Sequence, residues 1–392
     1  MVDVDSGSFL VIVSAAALAA LIAGVVQPHL AIPVVVMELV LGIVVGPELL
    51  DLAEADEFIE FFSSLGLGML FFFAGYEIDF RRILGTPLRL AILGWLLSLA
   101  IAFSLGGLLA LAGVVLSLLF TGAALATTAI GTLVPILSDA GELRTRFGTY
   151  LLAAGAAGEF GPILLVTLVF STKGALANAL ILIAFIALAV VTAILAVRGM
   201  GRGWELFERT IETSSQLPIR VAVVLVFALG ALAASLGLDL LVGGFVAGAI
   251  TRLALEGREV QVFESKLTAV GYGFFIPFFF IVSGLKFNLD ALLDDPLRLL
   301  ELPLFLALFL VVRGAPAMLL YRGVLDLRDR LALAAFSATE LPLVVAITTI
   351  AIDRGHMRSS TAASLVGAAI LSTTIFPLVG LRLRRGRLGL AG

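Results

Sequence analysis

Residues 124–141 read ALATTAIGTLVPILSDAG, an apolar run that carries a pair of threonines and ends in an aspartate and a glycine. A related run, TELPLVVAITTIAIDRG, occupies residues 339–355, and GAAGEFGP and GAAILSTTIFP follow the first and second run. Four positions match within one or two residues: Thr127, Asp139, Gly141 and Pro162 with Thr339, Asp353, Gly355 and Pro377. The pattern indicates an internal repeat, with chance similarity between small-residue helices as the alternative.

The composition places both runs in a membrane. The 392 residues are 61% hydrophobic and 14% charged, whereas an ordinary soluble chain is about 45–50% apolar and 25% charged. A soluble enzyme is therefore excluded, and no catalytic residues are predicted. The absence of cysteine from the sequence excludes disulfides and thiolate metal sites. The sequence contains no basic patch that would indicate a nucleic-acid partner.

We predict thirteen transmembrane helices, because one span needs about 20 apolar residues. They cover approximately residues 8–27, 31–49, 58–76, 87–112, 115–138, 146–171, 176–197, 219–236, 239–254, 267–285, 298–321, 330–351 and 360–381. The remaining loops are short, so we expect a single transmembrane unit over residues 1–392, in contact with membrane lipid and without a nucleotide-binding regulatory domain.

Basic residues indicate the orientation. With the N-terminus outside, the cytoplasmic loops hold 19 of the 25 Lys and Arg residues and the opposite loops hold five. This bias predicts an N-out, C-in topology. The two repeat copies begin at the fifth and twelfth predicted spans, an offset of seven. An odd offset inverts the second copy in the membrane. Inverted repeats with broken helices are typical of secondary transporters, where the breaks mark the ion site.

Four ionisable residues lie within predicted spans: Glu38, Glu159, Arg313 and Glu340. A charge in a span costs at least about 2.5–3.5 kcal/mol on insertion scales, so each is a functional candidate. Glu38 is the weakest candidate, and we interpret it as a packing or dimer-side residue outside the ion site.

Glu159 is the strongest candidate for the transported ions. Glycines and alanines surround it in GAAGEFGPI, which lets neighbouring backbones approach closely and leaves room for an ion. A carboxylate in this position can hold a proton or a metal ion, sodium or potassium, but not both at once. Thr127 and Thr128 could add hydroxyl and carbonyl ligands, although threonines in membrane helices often bond only their own preceding turn.

Arg313 stays charged in essentially any protein environment, so we expect a buried acidic partner for it. Glu340 and Glu159 are the candidates, and the sequence leaves the choice between them open. Pro342, two residues after Glu340, weakens the helix there and frees backbone carbonyls. Glu159, Glu340 and Arg313 together carry one net negative charge, which one monovalent cation or one proton neutralises. This sum predicts electroneutral exchange of one proton per cation.

Several motifs resemble those of monovalent cation:proton antiporters, related to the potassium-efflux branch. PVVVMELVLGIVVGP (33–47) resembles the second helix of that family, LGLGMLFFFAGYEID (65–79) the third, and LGLDLLVGGFVAGAI (236–250) and FFIPFFFIVSGLKFNL (274–289) the ninth and tenth. The resemblance implies the sodium/proton antiporter fold with two crossed broken helices, a homodimer, and no cofactor. It also implies a dimerisation part over about 8–80 and 219–286, a core part over about 87–171 and 298–382, and a linker helix over about 176–197.

The resemblance also implies roles for individual residues. Glu159 falls where the family has its essential carboxylate, usually Asp, and Gly158 falls where relatives often have Asp, Asn or Gln. Arg313 replaces the lysine of electrogenic relatives, and Glu340 falls on an acidic position of the second broken helix. We therefore take Glu159, Thr127 and Thr128 as ion- and proton-binding. Arg313 and Glu340 are charge-compensating, with Gly158 and Ser337 as secondary candidates.

These observations predict a secondary antiporter that exchanges protons for sodium or potassium by an elevator-type movement. We expect a multi-pass protein of a prokaryotic cell (inner) membrane. Two alternatives from other classes remain open: a sodium-coupled symporter of organic solutes and an ion channel. The preference among sodium, potassium and lithium is left open by the sequence.

Overall fold

The computed structural model describes residues 5–26, 33–78, 80–170, 175–236, 238, 240–255, 260–293 and 296–388. Within these ranges the chain is helical and contains no strand. The helices are α1 Ser6–Val26, α2 Val34–Val45, α3 Glu57–Tyr76, α4 Phe80–Ile83, α5 Thr86–Leu111, α6 Leu118–Leu125, α7 Ile130–Asp139, α8 Arg146–Phe170, α9 Ala175–Ile211, α10 Leu217–Ser235, α11 Leu240–Ala254, α12 Gln261–Val270, α13 Ile276–Leu285, α14 Asp290–Leu293, α15 Pro296–Leu320, α16 Leu327–Ser337, α17 Pro342–Asp353 and α18 Ser359–Leu388. A π-helical turn, Gly271–Phe275, joins α12 to α13, and a 3₁₀ turn, Tyr321–Gly323, follows α15.

Many of these helices are built to cross a membrane. Eight helical segments of the described residues are long and apolar enough to do so, and their outer faces expose large apolar side chains such as Leu21, Leu108 and Val224. Exposed apolar side chains of this density suit contact with lipid, where backbone polar groups must be satisfied inside the helix. The predicted multi-pass membrane architecture is confirmed. Thirteen crossings and the N-out, C-in topology stay predictions.

The chain divides into two compact units. One unit contains Met1–Phe9, Ala55–Asp79 and Ile163–Val282, and the other contains Leu10–Glu54, Phe80–Pro162 and Ser283–Gly392. All residues of the predicted ion site lie in the second unit. The division into a dimerisation part (8–80 and 219–286), a core part (87–171 and 298–382) and a linker (176–197) stays a prediction.

Two predicted spans of the second unit are interrupted. The first is split into α6 and α7 by residues 126–129, and the second into α16 and α17 by residues 338–341. Pro342 explains the second interruption, because proline has no N–H to donate and disfavours helical geometry at the residue before it. Leu341, the residue before this proline, has φ −156° and ψ −62°, which lies outside the helical region. Pro135, by contrast, lies inside α7, and the first interruption falls on the threonine pair.

The internal repeat is visible in the backbone. Each copy consists of a broken helix, a glycine at the end of its second half, and a longer helix that contains a proline. Gly141 and Gly355 both have φ +69°, a left-handed conformation that glycine adopts without strain. The next amide along, in Glu142 and in His356, donates to a carbonyl five residues back at 2.8 Å in both copies. These matching caps support a true repeat rather than chance similarity.

Helix α9 continues well beyond the predicted end at residue 197. The extension places Trp204, Phe207 and Ile211 at spacings that share one helix face. Phe207 packs against Phe263, with ring centroids 5.6 Å apart, and the ammonium of Lys266 donates to the Ile211 carbonyl at the helix end. These contacts favour continuation of the helix, although Gly199, Gly201 and Gly203 reduce the intrinsic helix propensity of this stretch.

A buried charge cluster joins three separate segments of the second unit. Arg384, near the end of α18, donates from Nε and Nη2 to the two carboxylate oxygens of Glu142 at 2.9 and 2.7 Å, and from Nη1 to Asp329. Its guanidinium carbon lies 4.4 Å from the centre of the Phe147 ring. All three charged side chains are buried. The last predicted span ends at residue 381, but α18 extends to Leu388 and buries Arg384, which is one of the 19 basic residues assigned to the predicted cytoplasmic loops.

Candidate ion-binding site

The two helix breaks cross within the second unit. The Ala129 amide donates to the Thr339 carbonyl at 2.8 Å, and the Thr128 hydroxyl donates to the Ser337 carbonyl at 2.6 Å. Interrupted helices leave backbone groups without intrahelical partners, and these bonds satisfy some of them. The predicted fold with two crossed broken helices is therefore confirmed. Ser337, a secondary candidate, contributes its carbonyl to the crossing.

Thr127 and Thr128 connect the carboxyl group of Glu340 to the guanidinium group of Arg313. Thr127 Oγ1 lies 2.9 Å from Oε2 of Glu340, and Thr128 Oγ1 accepts a hydrogen bond from Nε of Arg313 at 2.9 Å. The four side chains are at most 5% exposed. Four of the predicted site residues thus lie together at the crossing, in a part of the chain that has little access to water.

The partners of Arg313 differ from the prediction. Its guanidinium donates to Thr128 Oγ1, to Ser98 Oγ at 3.1 Å and to the Ala154 carbonyl at 3.1 Å, with a longer bond from Nε to the Ser337 carbonyl. Among the described residues it forms no direct ion pair, so the expected contact with Glu340 or Glu159 is replaced by uncharged oxygens. The carbonyl end of α16 carries partial negative charge, which stabilises a nearby cation.

Glu159 lies in the middle of α8 and is 5% exposed. The residue before it, Gly158, accepts a backbone hydrogen bond from the Thr128 amide at 3.1 Å. A Cβ atom at Gly158 would overlap Nη2 of Arg313 and the side chain of Thr128. The absence of a side chain at Gly158 is therefore what lets the first break and Arg313 reach α8 beside Glu159.

Two further glycines continue this face of α8. A Cβ atom at Gly155 would overlap Ile130, the first residue of α7, and one at Gly161 would overlap the indole of Trp95 on α5. Residues three apart on a helix lie on one face. These three glycines are among the small residues around Glu159 that were predicted to permit close approach. Gly155 accommodates α7, Gly158 accommodates Arg313, and Gly161 accommodates α5.

The backbone of Glu340 is held by α18. Its amide donates to Ser372 Oγ at 2.9 Å, and its carbonyl lies 2.9 Å from Ser372 Oγ and 3.2 Å from Thr373 Oγ1. Its side chain is fully buried, and Oε1 has no hydrogen-bond partner in the described part of the chain. Helix α18 therefore fixes the acid at the crossing through hydroxyl groups.

Glu38 is buried on α2 and shares no hydrogen bond with the described residues of the crossing, in agreement with its interpretation as a packing residue.

Ser98, Ser372 and Thr373 are contacts that sequence reasoning missed. The available signal, a hydroxyl in an apolar span, is weak because such hydroxyls commonly bond their own helix. Ser104 on α5 does so, donating to the Ala100 carbonyl, and sequence does not distinguish it from Ser98.

We expect Ser98→Ala to slow exchange several-fold and to change its pH profile. Ser98 donates to the Val312 carbonyl at 2.9 Å and accepts from Arg313, so its loss removes one partner of a buried guanidinium, which costs about 1–3 kcal/mol. The measurement is the rate of pH-gradient dissipation in proteoliposomes at several pH values. Ser104→Ala is the matched control, and equal behaviour of the two variants would contradict a positioning role for Ser98.

Comparison with known proteins adds the family. Residues 15–381 match the model of the transmembrane region of sodium/hydrogen exchangers. The chain is 26% identical over 377 residues to a putative Na⁺/H⁺ antiporter, YjbQ, of Bacillus subtilis (strain 168), covering 89% of this chain and 58% of that protein. It is also 26% identical over 361 residues to the probable Na⁺/H⁺ antiporter 3 of Methanocaldococcus jannaschii, with 89% of each chain covered.

A solved structure has a similar fold. The sodium proton antiporter MjNhaP1 of Methanocaldococcus jannaschii, determined at pH 8, superimposes with a TM-score of 0.63 at 18% identity, covering 98% of this chain and 97% of that one. With the family model spanning almost the entire sequence, the chain belongs to the sodium/hydrogen exchanger family and is a multi-pass membrane protein of the Na⁺/H⁺ antiporter class rather than an enzyme.

Proposed function

We propose that this chain exchanges protons for sodium or potassium ions across a membrane, and that Glu159 takes a proton or a cation but not both. The observation that carries the proposal is the position of Glu159, a buried carboxylate next to Gly158, which contacts the first break through Thr128 and lies against the buried guanidinium of Arg313. Broken helices of this kind supply carbonyl ligands and helix-end charges for small ions. The transported ions are the substrates, and proteins of this class need no cofactor.

Cation ligands would come from Glu159, Thr127 and Thr128. Sodium and potassium prefer oxygen ligands, and the crossing concentrates hydroxyl, carboxylate and carbonyl oxygens in a small buried volume. Dissipation of a pH gradient in proteoliposomes, compared for sodium, potassium and lithium at several pH values, tests the activity and ranks the ions. An absence of cation-dependent proton movement with all three ions would contradict the proposal.

The charge of the site supports electroneutral exchange. Glu159, Glu340 and Arg313 sum to one negative charge when both acids are ionised, and a guanidinium does not release its proton in proteins. One proton or one monovalent cation then neutralises the group, so each turnover moves no net charge. We expect an imposed membrane voltage, without ion gradients, to drive no cation flux in proteoliposomes. Voltage-driven uptake of labelled sodium would contradict one-for-one exchange.

The transport movement and assembly belong to the same proposal. We propose an elevator-type movement of the core part (87–171 and 298–382) against the dimerisation part (8–80 and 219–286), a homodimer, and residence in the inner membrane of a prokaryotic cell. The homology to bacterial and archaeal proteins supports the last point. Crosslinking between cysteines introduced into the cysteine-free chain would test both the dimer and the movement.

A further inference from the structure

Glu340 is a fully buried acid at the crossing of the two broken helices. Its side chain is 0% exposed, Oε1 has no hydrogen-bond partner among the described residues, and Oε2 lies 2.9 Å from Thr127 Oγ1. An ionised carboxylate normally accepts several hydrogen bonds or pairs directly with a cation when buried. Within the described ranges, the Glu340 carboxyl group has one hydroxyl partner and forms no direct ion pair.

The Thr127 hydroxyl has two oxygen neighbours but one hydrogen. Besides Oε2 of Glu340, the carbonyl of Ala124 lies 3.0 Å from Thr127 Oγ1. If Glu340 were ionised, the single Thr127 hydrogen would have to be shared between these two oxygens. If Glu340 carries a proton, its O–H donates to Thr127 and the Thr127 hydroxyl donates to Ala124. Both distances are then hydrogen bonds.

The charged groups around Glu340 agree with a neutral acid. Two other buried charged residues lie on helices that pack at the crossing: Arg313 on α15 and Glu159 on α8. Arg313 bonds uncharged oxygens. Glu301, also on α15, is twelve residues and therefore about 18 Å along the helix from Arg313. With Glu340 protonated, the charges of Arg313 and Glu159 balance.

We propose that Glu340 holds the exchanged proton in this conformation and releases it when a cation binds, with Thr127 as the switch between the two states. On release, the proton leaves Glu340 for solvent and the Thr127 hydrogen turns from Ala124 to the new carboxylate. The Ala124 carbonyl, at the C-terminal end of α6, then loses the Thr127 hydroxyl as a donor and keeps only backbone amides, which leaves one side of this oxygen for the arriving cation. One positive charge leaves and one enters, so the charge of the site is conserved.

This inference rests on the proposed cation–proton exchange at this site but divides the chemistry between two acids: the cation binds at Glu159 and its neighbours, and the displaced proton comes from Glu340 rather than from Glu159. The two acids therefore make different predictions. If the proton is on Glu340, Glu340→Gln binds sodium without releasing a proton. If exchange occurs wholly at Glu159, Glu340→Gln still releases one proton for each sodium bound.

The experiment adds sodium chloride to the purified full-length protein in weakly buffered detergent solution. Proton release is followed with a pH dye, and bound ²²Na⁺ is counted in parallel. We expect about one proton per bound sodium for the wild type and none for Glu340→Gln. Unchanged proton release from Glu340→Gln would overturn the assignment. Loss of sodium binding by Glu159→Gln tests the proposed function separately, so the two failures are distinguishable.

Two further variants keep the test decisive if Glu340→Gln does not fold. Thr127→Val leaves Glu340 in place but removes the hydroxyl, and a hydrogen bond to a charged group is worth more than one to a neutral group. We therefore expect half-maximal proton release to move to higher pH in Thr127→Val and to return in Thr127→Ser. An unchanged pH profile in Thr127→Val would also overturn the proposal.

Discussion

Glu159→Gln abolishes cation-coupled proton movement and leaves the protein folded, according to the site proposed above. The amide matches the carboxylate in shape but carries no negative charge for a cation. We expect exchange in proteoliposomes to fall at least a hundredfold, which corresponds to about 2.7 kcal/mol. Glu159→Asp, which keeps the acid, should retain part of the activity.

Glu38→Gln is the matched control for this experiment. It makes the same change at another buried glutamate of a predicted span, but Glu38 lies on α2 and bonds no residue of the crossing. We expect exchange within about twofold of the wild type. Persistent cation-dependent pH changes in Glu159→Gln, at equal amounts of folded protein, would remove Glu159 from the mechanism. Equal losses in both variants would point to a general effect of buried glutamates on folding.

Arg384→Met produces the largest loss of stability that the structure predicts. Removal of Arg384 leaves Glu142 and Asp329 buried without their shared cation, and breaking a buried ion pair in this way costs about 3–5 kcal/mol. Methionine keeps most of the side-chain length, so packing over Phe147 is partly retained. Thermal unfolding in detergent, followed by the monodisperse fraction after heating, measures the effect.

Arg382→Met is the control for Arg384→Met. Arg382 lies two residues earlier on α18 and is exposed, so its loss should change the melting temperature little. A triple variant that also carries Glu142→Gln and Asp329→Asn should recover part of the stability lost in Arg384→Met, because no unpaired charge remains. Similar melting temperatures for the Arg384 and Arg382 variants would show that the buried cluster contributes little.

Sequence patterns were sufficient for the architecture of the second unit. Apolar runs of helix length indicated the spans, and the matched positions of Gly141 and Gly355 indicated a repeat whose caps share the same geometry. The first break falls on the threonine pair, and Pro135 lies inside α7. Helix α9 was predicted too short because tertiary packing of Phe207 outweighs the local glycines.

The sequence alone also identified the main chemical groups of the site, because an ionisable residue in an apolar span is costly enough to stand out. It determined that Glu159, Arg313 and Glu340 are buried in one membrane protein with two broken helices. Only the tertiary structure decided which groups meet. Arg313 bonds hydroxyls and carbonyls from α5, α8 and the two breaks rather than a carboxylate, and Arg384 is buried against Glu142 and Asp329. The physical reason is that the free energy of burying a charged residue depends on residue type and local sequence. Hydrogen-bond partners depend instead on which distant segments cross, so only the tertiary structure reveals them.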